Sequence, residues 1–408
     1  MKKVLILHFG CLNNYGTGMM GLVVINELSK IYPKDTVYYS DYNKYSTYEE
    51  IKSELHNDVN LATFTPKEID FSKYKWMRSI QKRKYIIDAS EIKEFDEIIV
   101  LGGDDLSEYY TDKIYRELIK YWRWSKTAPL TLLGQSIGPF NKKKNRFVIK
   151  HFFKNIPIYV RDYWSATYLK SEFGLNKNLH QAADLAFLDL PLQHDKAIES
   201  EILARYKLTK NNYVCIVISG LVGKYYTKDR TKYFNVFKEV IKQIKNNEKL
   251  KGFKIVLLAH TFPPHGNEGD LIKHFYKELS TSEKEQVVPI HQRILETRAR
   301  FILGNGYFTL TGRMHAAVST FQMGKPAISL SYSAKYKGVI GMNLGRNDLI
   351  IESNNAQLWD TGKIIPLINE KIAYLVKNHT AICADIKEKV EIQKGLVNTC
   401  FKEITKKK

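Results

Sequence analysis

The chain has 408 residues, which is long enough for two ordinary domains and too long for a single hydrophobic core. Hydrophobic residues make up 44% and charged residues 26%, and the lack of an apolar run of roughly eighteen residues excludes a transmembrane helix, as in a soluble globular protein. Lysine and arginine outnumber aspartate and glutamate by 63 to 43, and the formal net charge of +20 favours anionic partners.

The cysteines indicate the compartment. They are far apart and lack the spacing of a metal site, so we expect no metal and a reducing, cytoplasmic environment. The four are Cys11, Cys215, Cys383 and Cys400. The apolar run Val4–Leu7 ends at His8 without a signal-cleavage pattern, so it predicts a first buried strand and not a signal peptide.

Short apolar strands alternate with helices in the first half of the chain. The predicted strands are Val4–Phe9, Val37–Tyr39, Ile98–Leu101, Leu130–Leu133 and Ile158–Val160. The predicted helices between and after them are Gly16–Ile31, Tyr109–Trp124 and Tyr163–Phe173. This alternation predicts a parallel, doubly wound α/β sheet.

A second series of strands begins after a pause at Leu190–His194. Its predicted strands are Tyr213–Ser219, Lys254–Leu258, Gln286–Pro289, Tyr307–Leu310 and Ala327–Leu330. Helical spacing is found over Arg293–Leu303, and two C-terminal helices are predicted at Ala356–Val376 and Ile386–Ile404.

We therefore expect two Rossmann-like α/β domains that face each other across a cleft, in the glycosyltransferase-B style. The predicted boundaries are 1–192 for the first domain, 193–352 for the second, and 353–408 for a helical segment that packs back on the first. In open α/β sheets ligands bind beyond the carboxyl ends of the strands, so the loops after the strands are where functional residues are expected.

Two basic clusters with interleaved aromatic residues stand out, Lys73–Lys84 and Lys142–Lys154. Such segments form either a face for an anionic membrane surface or the solvated surface of a lysine-rich protein, and the sequence leaves both open. Neither cluster matches a nucleic-acid-binding signature, so no nucleic-acid partner is expected. The predicted location is cytoplasmic, with association at the inner membrane face as the further option.

The most informative segment is Thr309–Val318, where an apolar strand ends, Gly312 makes a turn and a helix begins. Arg313 and His315 fall within the first helical turn, where free backbone N–H groups and the helix dipole attract anions. Cationic side chains are unfavourable there unless an anion is bound, which favours a functional role. The structural alternatives are pairing of Arg313 with a nearby carboxylate and an interior, hydrogen-bonded His315.

Other strand ends carry further candidates. Tyr332 and Lys335 follow the next strand, and Arg161 ends a strand in the first half of the chain. Asp184 follows a short strand and could orient a cationic side chain or bind a sugar hydroxyl. His260 ends the strand at Lys254–Leu258, and its residue type alone does not separate a functional from a structural role.

Three glycine loops each follow a strand of the first series. They contain Asn14 and Gly16, Gly103 and Asp104, and Gln135 and Ser136. Glycine lets backbone N–H groups approach a ligand closely, although each loop could also be only a tight turn. None matches a dinucleotide fingerprint or a P-loop. Together they predict an acceptor pocket in the first domain.

These segments, in this order, resemble the polysaccharide pyruvyl transferase family. The resemblance covers about residues 1 to 350. It is carried by Gly134-Gln135-Ser136-Ile137-Gly138-Pro139, Val160-Arg161-Asp162, Gly312-Arg313-Met314-His315, Lys325-Pro326 and Tyr332-Ser333-Ala334-Lys335. The sequence departs from the family pattern at Asp104, where a third glycine is usual, and at Thr17, where an aspartate is usual.

The resemblance implies transfer of a pyruvyl group from phosphoenolpyruvate to two hydroxyls of a sugar, with formation of a cyclic ketal and release of phosphate. Arg161, Arg313, Lys335 and Tyr332 would then bind phosphoenolpyruvate, and His315 would supply a proton. Asn14, Gly16, Gly103, Asp104, Gln135, Ser136, Asp184 and His260 would bind a nucleotide-linked, lipid-linked or polymeric sugar acceptor.

No cofactor beyond this donor substrate is implied. Two alternatives stay open: a nucleotide-sugar-dependent glycosyltransferase with the same architecture, and a non-catalytic protein that binds a glycan or a membrane.

Overall fold

The computed structural model describes residues 1–9, 12–42, 47–56, 58–65, 90–109, 111–264 and 266–406. The basic cluster Lys73–Lys84 and Cys11 lie outside the described residues. Contacts between Cα atoms divide the chain into two compact units. Unit 1 comprises Met1–Cys11, Ile25–Val160 and Ser165–Gln181, and unit 2 comprises Leu12–Val24, Arg161–Trp164 and Ala182–Lys408.

Unit 1 contains a seven-stranded parallel sheet in the order β3-β2-β1-β4-β5-β6-β7. Its strands are β1 (Lys3–Leu7), β2 (Val37–Ser40), β3 (Asn60–Thr63), β4 (Glu97–Leu101), β5 (Leu130–Gln135), β6 (Ile158–Val160) and β7 (Leu179–Gln181). Its helices are α2 (Tyr48–Ser53), α3 (Tyr115–Trp124), α4 (Lys143–Phe152) and α5 (Tyr163–Phe173), and α1 (Tyr15–Ser29) begins within unit 2. The central strands β4 and β5 are buried along their whole length, as expected of a sheet covered on both faces.

Unit 2 contains a six-stranded parallel sheet in the order β10-β9-β8-β11-β12-β13. Its strands are β8 (Tyr213–Val217), β9 (Lys254–Leu258), β10 (Val287–Ile290), β11 (Phe308–Thr311), β12 (Ala327–Ser331) and β13 (Ile350–Glu352). Its helices are α6 (Lys196–Arg205), α7 (Arg230–Asn246), α8 (Glu268–Lys277), α9 (Thr281–Lys284), α10 (Glu296–Asn305), α11 (Met314–Gln322), α12 (Ala334–Tyr336), α13 (Ala356–Asp360) and α14 (Ile364–Lys406).

In each sheet the strand order reverses next to the first strand of the unit, between β1 and β4 and between β8 and β11. This reversal is the switch point at which doubly wound sheets bind ligands. The predicted fold class, two parallel-sheet α/β domains with C-terminal helices, is confirmed. Within the described residues, none of the helices is long and apolar enough to cross a membrane.

Several details differ from the sequence prediction. Helix α3 begins at Tyr115 and not at Tyr109. The edge strands β3 and β13 were not predicted, whereas the edge strand β10 was. The first predicted C-terminal helix, Ala356–Val376, is divided between α13 and the start of α14. The second, Ile386–Ile404, continues the same α14, which has non-helical backbone angles at Asn378. The predicted boundary after residue 192 and the packing of the C-terminal segment on the first domain stay predictions.

Candidate active site

The switch point of unit 2 lies where β8 and β11 end side by side. Gly312 follows β11, and a Cβ atom there would lie 2.9 Å from the Cβ of Ser219 and 2.8 Å from the hydroxyl of Tyr226. The backbone can turn into α11 here because residue 312 has no side chain. Arg313 is the N-cap residue of α11, and no side chain caps the helix N-terminus.

Arg313 is held by two groups from other loops. Its Nε donates to Oε1 of Glu268 at 2.6 Å and its Nη2 donates to Oγ1 of Thr261 at 3.0 Å. Burial alone would lower the pKa of Arg313, but the charge and hydrogen bond of Glu268, together with Tyr332 and Tyr336, outweigh it and raise the pKa. Among the described residues, Nη1 has no hydrogen-bond partner, and the side chain remains 13% exposed. Arg313 is therefore a permanent cation with one end available to a ligand.

Glu268 was not predicted from the sequence. It is the first residue of α8, its side chain is fully buried, and its carboxylate accepts three backbone N–H groups besides Arg313. Oε1 accepts from Gly220 at 2.9 Å, and Oε2 accepts from His260 at 2.9 Å and Thr261 at 3.0 Å. One carboxylate thus joins the loops after β8, β9 and β11. The only sequence signal for it was an acidic residue at the start of a helix that follows a strand.

His315 contacts the second buried carboxylate of the site. Its Nε2 lies 3.3 Å from Oδ2 of Asp184, which is within ion-pair distance but not aligned as a hydrogen bond. Arg161 donates to the same Oδ2 at 3.0 Å, and Oδ1 accepts the N–H of Ala186 at 3.0 Å. Burial alone would raise the pKa of Asp184, but the charges of His315 and Arg161 outweigh it and lower the pKa.

The sequence had left two roles open for Asp184. Because the side chains of Asp184 and Arg161 are 0% and 1% exposed, the geometry matches the orienting role more closely than direct sugar binding. His315 keeps 17% of its side chain exposed and is the accessible member of this group.

The start of α1 borders both histidines. A Cβ atom at Gly16 would overlap Nδ1 of His315, so the glycine leaves space at that ring nitrogen. The side chain of Asn14 accepts the N–H of Gly16 at 3.1 Å, which is a local turn contact. The neighbouring Tyr15 packs edge-on against His260, with ring centroids 5.3 Å apart. Gly16 and Asn14 therefore belong to the surroundings of His315 in unit 2.

The imidazole of His260 is buried beside the start of α1. Its side chain is 1% exposed, and neither ring nitrogen has a hydrogen-bond partner among the described residues. Burial lowers the pKa of His260 well below its ordinary value, and the charges of Arg313 and His315 lower it further. It is a neutral imidazole close to Arg313 and His315.

Tyr332 and Lys335 lie at the end of β12, on the other side of β11. The ammonium of Lys335 donates to the hydroxyl of Tyr332 at 3.0 Å, and the Tyr332 ring stacks on Tyr225 with centroids 4.5 Å apart. Tyr336, which packs edge-on against Tyr332, donates to the carbonyl of Gly312 at 2.8 Å. This hydroxyl links the loop after β12 to the start of α11.

A cavity of about 880 Å³ opens beyond β12 and β13. Its lining combines neutral polar side chains with the aromatic ring of Tyr332 and one charge of each sign, from Glu352 and Lys337. The neutral polar lining residues are Ser331, Ser333, Asn347, Asn354 and Asn355.

The remaining predicted residues lie in unit 1. The carbonyl of Gly103 accepts the N–H of Ser136 at 2.8 Å, and the carbonyl of Asp104 accepts the hydroxyl of Ser107 at 2.9 Å. Gln135 donates to the carbonyl of Val100 at 3.1 Å, while its buried Oε1 has no hydrogen-bond partner among the described residues.

The same edge of the unit 1 sheet holds a histidine that was not predicted. His8 lies just after β1 with a positive φ of 63°, which is uncommon for this residue type. Its Nε2 lies 2.8 Å from the hydroxyl of Tyr121, and its Nδ1 lies 3.8 Å from Oδ2 of Asp105. The two candidate groups are thus separate in the chain, one at the switch point of each sheet. Across the described part of the chain, no group of three or more His, Cys, Asp or Glu side chains is arranged to hold a metal ion.

Comparisons with solved structures show the fold. A UDP-GlcNAc 2-epimerase from Neisseria meningitidis, bound to UDP-GlcNAc, is 12% identical with a TM-score of 0.59 and covers 100% of this chain and 99% of its own. Trehalose-6-phosphate synthase OtsA is 8% identical with a TM-score of 0.57 over 100% and 98% of the two chains. A glycosyltransferase from Rickettsia africae is 12% identical with a TM-score of 0.56 over 100% and 99%. This chain therefore has the glycosyltransferase-B type of fold.

Comparisons of sequence show the family. The amylovoran biosynthesis protein AmsJ of Erwinia amylovora is 20% identical over 322 residues, which are 78% of this chain and 74% of AmsJ. The sequence model described as polysaccharide pyruvyl transferase matches residues 14–334, a range that contains Arg161, Asp184, Glu268, Arg313 and His315. Because this match spans most of the chain, the protein belongs to the polysaccharide pyruvyl transferase family.

Proposed function

We propose that this protein transfers the pyruvyl group of phosphoenolpyruvate to two hydroxyls of one sugar in a cell-surface glycan or its precursor. The observation that carries the proposal is the placement of Arg313 and His315 at the N-terminus of α11. Nη1 of Arg313 has no partner among the residues that the structure describes, and His315 contacts a buried carboxylate. A small dianionic or trianionic donor fits this arrangement of charge.

Donor binding follows from the backbone N–H groups of Met314 and His315 and from the side chains at this helix end. The phosphate of phosphoenolpyruvate would accept the backbone N–H groups of the first turn of α11, assisted by the helix dipole. Nη1 of Arg313 would bind a phosphate or carboxylate oxygen by a charge-assisted hydrogen bond. Lys335, whose ammonium contacts Tyr332 at the neighbouring strand end, would supply a second cation. Arg161 would act indirectly, because it donates to the carboxylate of Asp184 that also contacts His315.

The chemistry then needs one positioned acid. His315 donates a proton to the vinyl carbon, which becomes the methyl group, while the oxygen of the first sugar hydroxyl bonds to C2. The C2–O bond to phosphate breaks with its electron pair on the phosphate, and the second hydroxyl bonds to C2 to close the ketal. Of the two hydroxyl protons, one restores the proton of His315 and the other leaves with phosphate.

Asp184 determines which imidazole nitrogen can act. Nε2 of His315 faces Asp184, so the proton for the substrate would be carried on Nδ1, the atom beside Gly16. The carboxylate would stabilise the protonated imidazole before transfer and fix the ring orientation, as in other Asp–His pairs.

In unit 1, the acceptor residues of this proposal are the strand-end groups. Gln135, whose Oε1 is buried and unpartnered among the described residues, and the exposed carboxylate of Asp105 beside His8 provide acceptors for sugar hydroxyls. The neutral imidazole of His260 provides a further hydrogen-bonding group.

Two substitutions test the assigned roles. Arg313→Ala should weaken binding of phosphoenolpyruvate, because a charge-assisted hydrogen bond is lost. His315→Ala should leave donor affinity nearly intact and lower turnover by roughly two to four orders of magnitude, the usual share of general acid catalysis. Calorimetry with phosphoenolpyruvate and a phosphate-release assay with glycan precursors measure the two effects. Equal loss of donor binding in both variants, with unchanged turnover of the bound complex, would remove His315 from the acid role.

A nucleotide-sugar-dependent glycosyltransferase is the second candidate. The cavity of about 880 Å³ beside Tyr332 favours it, because an aromatic ring and neutral amides are groups that bind a base and a sugar. Selective stabilisation by a nucleotide sugar, with none by phosphoenolpyruvate, is the result that would support this candidate.

A further inference from the structure

Glu268 occupies an unusual position for a carboxylate. Its side chain is fully buried, and within the described residues its charge is compensated by one cation, Arg313, and by three backbone N–H groups. A buried carboxylate is costly unless it is paired and hydrogen-bonded, and this one satisfies both conditions. Its hydrogen bonds come from the loops after β8 and β9 and from the residue after Gly312.

These contacts fix one side of the Arg313 guanidinium. Nε of Arg313 donates to Glu268, and Nη2 donates to Thr261. Rotation about the torsions of the Arg313 side chain would therefore break at least one of these hydrogen bonds. Nη1 is left at the switch point of the sheet. Because both anchors come from loops that Glu268 itself ties together, the position of Nη1 depends on Glu268.

We propose that Glu268 is the positioning residue of Arg313, holding the guanidinium in the orientation in which Nη1 binds the anionic donor. This rests on the proposed function for the identity of the donor. Glu268 itself touches no substrate. Its effect is to remove the conformational freedom that Arg313 would otherwise lose on binding, so the free energy of donor binding becomes more favourable.

The test compares two substitutions at Glu268 with a matched control. Glu268→Gln keeps the shape but removes the charge and places an NH₂ group against N–H donors. Glu268→Asp keeps the negative charge but shortens the side chain by one methylene, which moves the carboxylate away from Arg313. Glu199→Gln is the control, because Glu199 is a buried carboxylate of unit 2 that contacts Lys196, Lys210 and Asn305 and no residue of the site.

The readouts are the dissociation constant of phosphoenolpyruvate by calorimetry and the midpoint of thermal unfolding. We expect Glu268→Gln to weaken donor binding by about tenfold to a hundredfold, the range of one charge-assisted hydrogen bond. Glu268→Asp should fall between wild type and Glu268→Gln. Glu199→Gln should lower the unfolding midpoint and leave the dissociation constant within about twofold of wild type.

If Glu268→Gln fails to fold, Thr261→Val replaces it, since this nearly isosteric change removes only the second anchor of Arg313. It should weaken donor binding by about threefold to tenfold. Unchanged affinity in the foldable variant, with the expected loss in Arg313→Ala, would overturn the positioning role while the proposed function stands. Absence of phosphoenolpyruvate binding by the wild-type protein would overturn both.

Discussion

At the scale of single residues, Arg313 and His315 each contact a buried carboxylate that is remote in sequence. Asp184 lies over a hundred positions before His315, and Glu268 lies 45 positions before Arg313. The residue types and their place at the start of a helix could be predicted from the sequence. Their partners could not, because nothing local specifies which buried carboxylate the fold brings to them.

The lowered pKa of Asp184 predicts an acid-dependent stability. A carboxyl group whose pKa is lower in the folded than in the unfolded protein stabilises the fold fully above its unfolded pKa of about 3.9, and this contribution is lost as the pH falls through the folded pKa. Asp184→Asn should cost about 3–5 kcal/mol at neutral pH, since it removes the charged acceptor of the buried Arg161 guanidinium.

Urea denaturation between pH 7 and pH 3 measures this dependence. We expect the difference in midpoint between wild type and Asp184→Asn to be constant from pH 7 to about pH 5 and to shrink below about pH 4. A difference that stays constant down to pH 3 would contradict the assigned charge state.

Gly16 supplies a second residue-scale prediction. A methyl group at this position would overlap Nδ1 of His315, the atom assigned to carry the proton, so Gly16→Ala should lower turnover by at least tenfold. Gly395→Ala is the matched control, because a Cβ atom there meets nothing within 4 Å in the middle of α14. It should leave turnover unchanged and raise the free energy of unfolding by up to about 1 kcal/mol. Phosphate release and thermal unfolding distinguish the two variants, and full activity in Gly16→Ala would be inconsistent with a proton on Nδ1.

At the scale of elements, the central strands and the edge strand β10 could be predicted, whereas the edge strands β3 and β13 could not. Strands such as Ile158–Val160 and Lys254–Leu258 agree with the prediction residue for residue, because buried parallel strands are continuous apolar runs. Helix α11 could be placed because a strand, Gly312 and a new helical pattern follow one another directly. The start of α1 was assigned to the first domain, whereas its contacts place Leu12–Val24 in unit 2, since a helix pattern carries no information on which sheet it covers.

Helix α4 carries the second basic cluster and allows the membrane hypothesis to be tested. Lys143, Lys144 and Lys150 are exposed, and Phe147 on the same helix is 57% exposed. If this face binds anionic membranes, the triple charge reversal Lys143→Glu, Lys144→Glu and Lys150→Glu should reduce vesicle binding strongly, because each basic residue near the surface contributes about 1 kcal/mol.

Sedimentation with phosphatidylserine-containing vesicles at low and moderate salt provides the measurement. Binding by the wild-type protein should fall as salt rises, because counterions screen the interaction. No binding at low salt would assign α4 to ordinary solvated surface and favour a soluble acceptor.

At the scale of the whole molecule, the predicted site residues are distributed over the two units. Unit 2 contains Arg161, Asp184, His260, Arg313, His315, Tyr332 and Lys335, and unit 1 contains Gly103, Asp104, Gln135 and Ser136. The fold and the family follow from sequence patterns that extend over most of the chain, whereas the identity of the acceptor depends on side-chain contacts that are not encoded in those patterns. The net charge of +20 is a property of the whole surface and is compatible with any anionic ligand.

The central claim is that the switch point of unit 2 binds phosphoenolpyruvate. The most direct measurement is the thermal unfolding midpoint of the wild-type protein titrated with phosphoenolpyruvate and, separately, with a panel of nucleotide sugars. We predict a concentration-dependent rise with phosphoenolpyruvate that is lost in Arg313→Ala. A rise with a nucleotide sugar alone, or a rise with phosphoenolpyruvate that Arg313→Ala leaves unchanged, would contradict the claim.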